Sequence, residues 1–588
     1  MKHFISRRNF LKAAGVTVAA SAMAAAVPQA SAGFLTGKDA AVTILYTNDV
    51  HTYIDNKSPK LTYAAIAAMK QGYVDEGKPV LLVDAGDHIQ GTAYGSMDDG
   101  ATIIELMNEA GYDIATLGNH EFDYGMARAK AIIKEADFPY VSCNWVDLRT
   151  GLRVLPAVKL FPAGGKWIAF VGITTPESFT KSTPAYFMNA KQTKYIYDIL
   201  GGDDGRKLYD AVQKAIDKAK TLGADIIIGL GHLGVDPSSS PWTSEEVIAN
   251  TTGFDAFIDG HSHTVMENKQ VADASGRLVT LTQTGSYFAN VGEMTIAPDG
   301  TISTRLVSTY DQEDPAVAAE QAAWVSSVDE MLGEKIAVAD TKFYITDPAT
   351  GKRRIRSGET NLGDFVADGI YTYFNEVEQL HCDIAIMNGG GIRSDEDAGY
   401  WTFKTCKQVS PFGNVACLMS VTGKQIQDAL EFGARFVGPE GKENGGFLHV
   451  AGATYEIHTD IPNTVLTDDK NVWMGSATGT PRVQNVRIYN KKTGAYEPLD
   501  LNRTYALAGM NYTLRNLGDG FAMFDGAELI KDYVSEDYLV MSTYAMTFGG
   551  VDAEGLPHLS SANSVLAEYP GYLLDYENPY GAGRISIL

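Results

Sequence analysis

The sequence predicts an α/β protein of two domains, each a helix-covered sheet structure, joined by a helix. Three observations predict it. Short apolar runs alternate with amphipathic stretches from Val42 to about Ile296, the rhythm of strands and helices in a layered sheet. The same rhythm returns from about Ile336, after a stretch from Asp311 to Glu334 that is Ala-rich, acidic and without strand character. The 588 residues also exceed what one core of ordinary size organises.

The elements follow in order. Ser6-Arg7-Arg8-Asn9-Phe10-Leu11-Lys12 precedes an Ala-rich apolar segment, Ala13 to Val27, and the small-residue site Ala30-Ser31-Ala32. Paired arginines in that setting read as a twin-arginine (Tat) signal peptide over residues 1–32. The apolar segment is short for a bilayer core that needs about 20 apolar residues. Export by the Tat machinery to a periplasmic or extracellular location, with no stable membrane anchor, is expected. Removing residues 1–32 takes away Lys2, Arg7, Arg8 and Lys12 and no acid, leaving 44 basic against 72 acidic residues, a formal charge of −28. That field argues against nucleic acid polymers and anionic membrane surfaces as partners. The four cysteines (Cys143, Cys382, Cys406, Cys417) lack metal-type spacing and read as buried thiols.

In a first domain at 33–310, strands are predicted at Val42–Thr47, Val80–Val83, Ile114–Leu117, Tyr140–Ser142, Ile168–Ile173, Ile226–Leu230 and Phe257–Ile258. Tyr63–Lys70, Ile103–Ala110 and Leu208–Thr221 are predicted helices. Runs apolar on both faces suit a sheet covered by helices on both sides. Residues 311–335 are expected as an exposed connecting helix. The second domain, 336–588, is expected to hold a helix near Leu362–Phe374, a strand at Asp383–Met387, a helix at Gly423–Phe436 and further strands toward Leu588.

Five of the predicted strands end in metal-ligand chemistry. They run into Asn48-Asp49-Val50-His51, Asp84-Ala85-Gly86-Asp87-His88, Gly118-Asn119-His120-Glu121, Gly231-His232 and Asp259-Gly260-His261-Ser262-His263. Six of only eleven histidines, His51, His88, His120, His232, His261 and His263, fall there. Asp, His and Asn donors without cysteine suit divalent ions of the zinc, manganese, iron or cobalt kind. The set is large enough for two ions sharing a carboxylate. Such a pair stabilises the attacking and leaving oxygens of a phosphoryl displacement and supplies a hydroxide near neutral pH.

In this order these segments resemble the calcineurin-like metallophosphoesterases. Thr47-Asn48-Asp49-Val50-His51 and Gly118-Asn119-His120-Glu121-Phe122-Asp123-Tyr124-Gly125 are similar to the exported 5′-nucleotidase and UDP-sugar hydrolase branch. The resemblance implies a four-layer sandwich. It implies two divalent ions (Zn, Mn or Co), one held by Asp49, His51, Asp87 and His263, the other by Asp87 with Asn119, His232 and His261. It makes His120 a catalytic group facing the phosphate and Asp123 the carboxylate that orients it, with Asp84 and His88 supporting the site.

Further motifs resemble the C-terminal domain of the same enzymes: Asn388-Gly389-Gly390-Gly391-Ile392-Arg393, Gln408-Val409-Ser410-Pro411-Phe412-Gly413-Asn414, Gly446-Phe447-Leu448-His449-Val450-Ala451-Gly452 and Leu517-Gly518-Asp519-Gly520-Phe521. By resemblance Arg356, Asn388, Arg393, Phe412, Asn414 and Asp519 bind a nucleotide, and Lys352 stands where some members carry another arginine. One position departs: the second base-stacking ring is expected at Thr513, and strand alternation would turn the adjacent Tyr512 to the opposite face. The implied activity is two-metal hydrolysis of nucleoside 5′-monophosphates, extending to nucleotide sugars or 2′,3′-cyclic nucleotides. The alternative in the same fold is a thiosulfate-pathway dimanganese thiohydrolase acting on a carrier protein. A hinge near Ile336–Ile355 is implied as well.

Overall fold

A computed structural model describes residues 40–55, 61–182, 184–189, 194–438, 442–475, 479–531 and 534–588; the predicted signal peptide lies outside them. Among the described residues no helix is long and apolar enough to cross a membrane.

The strand Val42–Thr47 shows how the first half is layered. Val42, Ile44 and Tyr46 point into a core shared with Ile168, Phe170, Ile228 and Ile258, while Leu45 points the other way, among the helices. Strand residues alternate in this way by geometry, so an all-apolar strand belongs between two buried layers. Two sheets therefore lie face to face. One is five-stranded, ordered Ile302–Val307, Val291–Ile296, Val42–Thr47, Val80–Asp84, Ile114–Ala115; the other is six-stranded and centred on Lys166–Thr174, Ile226–His232 and Ala256–Ile258. Helices Tyr63–Asp75 and Ala101–Ala110 cover the first sheet, and Arg206–Thr221 the second. The four layers are α/β/β/α. In both sheets the central strands run parallel, so their C-terminal ends gather at one edge, where α/β proteins place their ligands.

Three predicted elements differ. Tyr140–Ser142 contributes only a single bridge, Ala115 to Tyr140, because its neighbours turn away to build a small separate sheet around Trp145–Asp147. Residues Pro315–Leu332 form the expected helix, but it is not an exposed connector: Val317, Val328 and Leu332 are buried in the first core. Gln321 Nε2 donates to the Ile54 carbonyl at 2.7 Å and Trp324 Nε1 to the Tyr94 carbonyl at 2.8 Å, fixing it there. The expected hinge span also differs. Lys335–Ala339 is a strand paired with Gly399–Thr402, and Phe343 and Ile355 are fully buried in the second core. Bending within 336–355 would open that core, so the junction between the two cores falls at Gly333-Glu334.

The second half centres on a five-stranded sheet, ordered Leu448–Ala451, Ile384–Asn388, Thr504–Met510, Ala416–Thr422, Glu528–Lys531, with helices Asn361–Thr372 and Gly423–Gly433 packed on it. All four cysteines are buried thiols outside any disulfide. The two halves meet through lysines. Lys470 Nζ reaches Asp198 at 2.8 Å and lies 4.0 Å above the Phe179 ring; Lys404 Nζ bonds Asp329 at 2.6 Å and also the Tyr94 hydroxyl.

Deep in the second half the Arg584 guanidinium bonds Asp368 at 2.7 Å, both side chains at 0% exposure, and the hydroxyls of Tyr572 and Tyr576 donate to the same carboxylate. Removing one member of a buried pair strands the other charge. Arg584→Met should therefore lower unfolding stability by about 3–5 kcal/mol, read as a shift in the urea midpoint of the second half.

Candidate active site

The predicted strand ends do converge, and the backbone bends sharply to make them. Asp49 (φ 49°), His51 (49°), Asp87 (60°), His261 (77°) and His263 (54°) all occupy the left-handed region. For residues with a β-carbon this costs of order 1–3 kcal/mol each and persists only where surroundings dictate it. Glycines supply the remaining close approaches. A Cβ on Gly118 would fall 2.2 Å from Asp87 Oδ1, and one on Gly260 2.8 Å from His232 Nδ1.

His51, His232 and His261 are each oriented by a bond to one ring nitrogen that frees the other. His51 Nδ1 pairs with the Gln90 carbonyl at 2.8 Å and His232 Nδ1 with the Ala85 carbonyl at 2.7 Å, which puts the proton on Nδ1 and turns Nε2 inward. His261 is held the opposite way round, by Nε2 on Glu177 Oε2 at 2.8 Å. Asp49 accepts the His261 amide at 3.0 Å and the Asn48 side chain at 2.6 Å; Asp87 accepts the His120 amide at 2.8 Å. The donor atoms form three overlapping triads, Asp49–His51–His263, His51–Asp87–His120 and Asp87–His232–His261, each within 4.8 Å.

These residues fit divalent ions. His51 Nε2 and His263 Nε2 face each other at 3.1 Å, close to the separation of two nitrogens bound at about 2.0–2.1 Å to one tetrahedral ion. Asn119 Oδ1 and His232 Nε2 are buried without a hydrogen-bond partner, although His232 Nε2 stands 3.0 Å from Asp87 Oδ2. Electrostatics point the same way. Burial, with Asp87 beside it, pushes Asp49 above the usual carboxylate range, and burial drives His51 and His263 well below the usual imidazole range. A buried box of like and unlike charges of this kind calls for cations to settle it.

His120 and Asp123 sit at the rim. Nδ1 and Oδ2 are 2.5 Å apart, and His120 Nε2 is 4.0 Å from Asp87 Oδ2. Burial opposes protonation of His120, but Asp123 and Asp87 outweigh it and raise its pKa.

Across one cavity from this cluster lie the residues expected to bind substrate. Arg356, Asn388, Arg393, Phe412, Asn414 and Asp519 all line it together with Asn119, His120, His261 and His263. Asn388 Nδ2 donates to Asp519 Oδ2 at 2.9 Å. The Phe412 ring lies 6.1 Å from the His120 ring, centroid to centroid, and 5.7 Å from the Arg393 guanidinium. Lys352 is exposed, and its neighbour Arg353 faces the cavity instead. Thr513 is buried at 2% exposure, whereas Tyr512 lines the cavity. Asn511–Leu514 is a helical turn and not a strand, so neighbours need not face opposite ways. The Tyr512 ring packs on Gly518, and its hydroxyl accepts the Asp519 amide at 3.1 Å.

Sequence reasoning missed Glu177, Lys181 and Arg353, which also line the cavity. Glu177 had a signal: it follows the strand Lys166–Thr174 just as the other motifs follow theirs. Burial disfavours its charge, but Lys181 and His261 outweigh burial and hold its carboxyl at about 2.

The chain matches the calcineurin-like phosphoesterase family over residues 42–265 and the 5′-nucleotidase C-terminal domain over residues 335–526. Residues 5–24 match the twin-arginine translocation pathway signal sequence, which indicates export. The 5′-nucleotidase of Homo sapiens is 29% identical over 550 residues, covering 86% of this chain and 88% of that one. The trifunctional nucleotide phosphoesterase of Bacillus subtilis is 28% identical over 86% of this chain, though only 34% of its own length. Among solved structures, the 5′-nucleotidase precursor of Thermus thermophilus superposes with a TM-score of 0.72 at 24% identity, covering 93% of this chain and 99% of that one. A sulfate thiohydrolase of the same species superposes with a TM-score of 0.64 at 16% identity, covering 94% and 97%. These two likenesses show the fold.

Gly118→Ala should displace the Asp87 carboxylate. Elemental analysis should show bound divalent metal weakened at least about tenfold, with the far-UV circular dichroism of the folded chain retained.

Proposed function

This chain belongs to the family that joins a calcineurin-like phosphoesterase domain to a 5′-nucleotidase C-terminal domain, and we propose that it is an exported two-metal hydrolase of nucleoside 5′-monophosphates. The observation that carries the proposal is the single cavity with the Asp–His–Asn cluster on one wall and the arginines, Phe412 and Asp519 on the other. In this reading Asp49, His51, Asp87 and His263 hold one ion, and Asp87, Asn119, His232 and His261 the second. The donors suit zinc, manganese or cobalt. Bound there, divalent ions supply Lewis acidity to the phosphoryl oxygens and ionise water near neutral pH.

The chain's own groups do the rest. Arg356 and Arg393 offer forked donors to the anionic part of the substrate. Phe412 presents a face to the base, with Tyr512 standing in for the second ring, and Asn414 beside them. Asp519, braced by Asn388, accepts from ribose hydroxyls. Asp123 fixes the His120 proton on Nδ1 and favours the imidazolium, whose Nε2–H is then available to the developing charge or the leaving oxygen. His120 also lies within reach of the cluster; the bond to Asp123 favours the acid over the ligand. The thiohydrolase alternative has the shared fold in its favour, while Phe412, Asn414 and Asp519 suit a nucleoside.

Two outcomes check this. His120→Ala should lower kcat for AMP hydrolysis by about 10²–10⁴-fold with metal content unchanged, whereas Asn119→Ala should lower metal content too; unchanged turnover in both rejects the proposal. Dialysis against a chelator should abolish turnover and lower the melting temperature, by linkage of ion binding to folding, and added Mn²⁺ or Zn²⁺ should restore both.

A further inference from the structure

The carbonyl of Ile355 is gripped from two sides, and both grips bear on the residue that follows it. His449, on the strand Leu448–Ala451, meets this oxygen with Nε2 at 2.9 Å. Gly389 lies so close that a Cβ there would fall 2.2 Å from the same atom. One residue on, the Arg356 carbonyl accepts the Asn444 amide at 3.1 Å. The Arg356 side chain lines the cavity, with Nε buried and without a hydrogen-bond partner. Among the described residues no carboxylate pairs with this guanidinium, so its direction is set by the backbone that carries it.

The His449 ring is built to hold one tautomer. It is fully buried, and its Nδ1 has no hydrogen-bond partner. That nitrogen lies against the first turn of the helix Asn361–Thr372, where a Cβ on Gly363 would fall 2.0 Å from it. The positive end of a helix disfavours a proton on a facing ring nitrogen. Burial acts in the same direction and pulls the imidazole down to about 4. The single remaining proton sits on Nε2, facing Ile355, and the ring donates at all ordinary pH values.

We propose that His449 is a positioning residue for substrate binding, which fixes the Ile355–Arg356 peptide so that Arg356 points into the cavity. This rests on the reading of Arg356 as a substrate-binding residue. The ring touches neither the metal-ligand cluster nor the cavity, so its effect falls on substrate affinity ahead of chemistry.

Side-chain reach tests it. Gln places an amide donor close to where Nε2 stands, Asn withdraws it by one carbon, and Leu removes it. With AMP as substrate, His449→Leu and His449→Asn should raise KM about tenfold, the scale of one oriented hydrogen bond, with kcat changed less and metal content unaltered. His449→Gln should stay within about twofold of the parent KM. An unchanged KM in the Leu and Asn variants overturns the proposal. So does an equal rise in all three, which would mean that the ring only fills space. If the Leu variant does not fold, the Asn and Gln pair decides. Arg356→Ala separates the premise from the inference. If it leaves KM unchanged, the binding role of Arg356 falls and the positioning role with it. If it raises KM while the Leu and Asn variants do not, only the positioning role falls.

Discussion

One buried carboxylate underlies the active site. Glu121 is fully buried and accepts the amides of Asp87 (2.9 Å), His88 (2.9 Å) and Gly118 (2.6 Å). It ties together two turns that begin on different strands, one carrying Asp87 and the other Asn119 and His120. A charge placed there needs an answer from within the protein. His88 provides it: burial disfavours its protonation, but Glu121 and Asp84 outweigh burial and raise its pKa to about 9. The imidazole bridges Asp84 and Tyr140 at 2.8 Å each. Beneath the candidate ligands therefore lies a satisfied ionic floor, set back from the cavity lining, on which the left-handed turns rest.

The second wall of the site is built by different means. Its residues come from strand ends and loops of a separate core, and they reach the first wall only because the two halves are held face to face. Much of that holding is done by lysines of the second half, Lys404 and Lys470, set against acids and rings of the first. Ionic contacts that are partly exposed contribute little apiece and separate more readily than a shared apolar core. The Gly333-Glu334 junction is the natural place for such a separation, because it lies between residues committed to one core or the other.

What could be read in the sequence was what chemistry compresses into a few neighbouring residues. Val42–Thr47 was legible to its ends because it is apolar on both faces, and the five ligand segments because donors follow directly on strands. The surrounding support was legible only in part: Glu177 follows a strand as the ligand segments do, but it meets His261 across 84 residues of chain, and no local pattern records that meeting. Tyr512 and Thr513 were read with strand alternation, which a helical turn does not obey. The helix Pro315–Leu332 looked exposed because alanines and acids dominate it, yet Val317, Val328 and Leu332 suffice to seat one face. Arg353 was passed over for Lys352 because neighbouring cations look alike until the backbone assigns their directions.

The left-handed candidate ligands carry a consequence for how this protein can change. At Asp49, His51, Asp87, His261 and His263, glycine is the residue the backbone prefers and also the residue that deletes the donor. Selection for heat resistance alone would drift toward glycine at these five positions, and selection for turnover would drift back. They are the sites where robustness and purpose pull against each other within a single residue, and a survey of tolerated substitutions would find them as positions that are both strained and immovable.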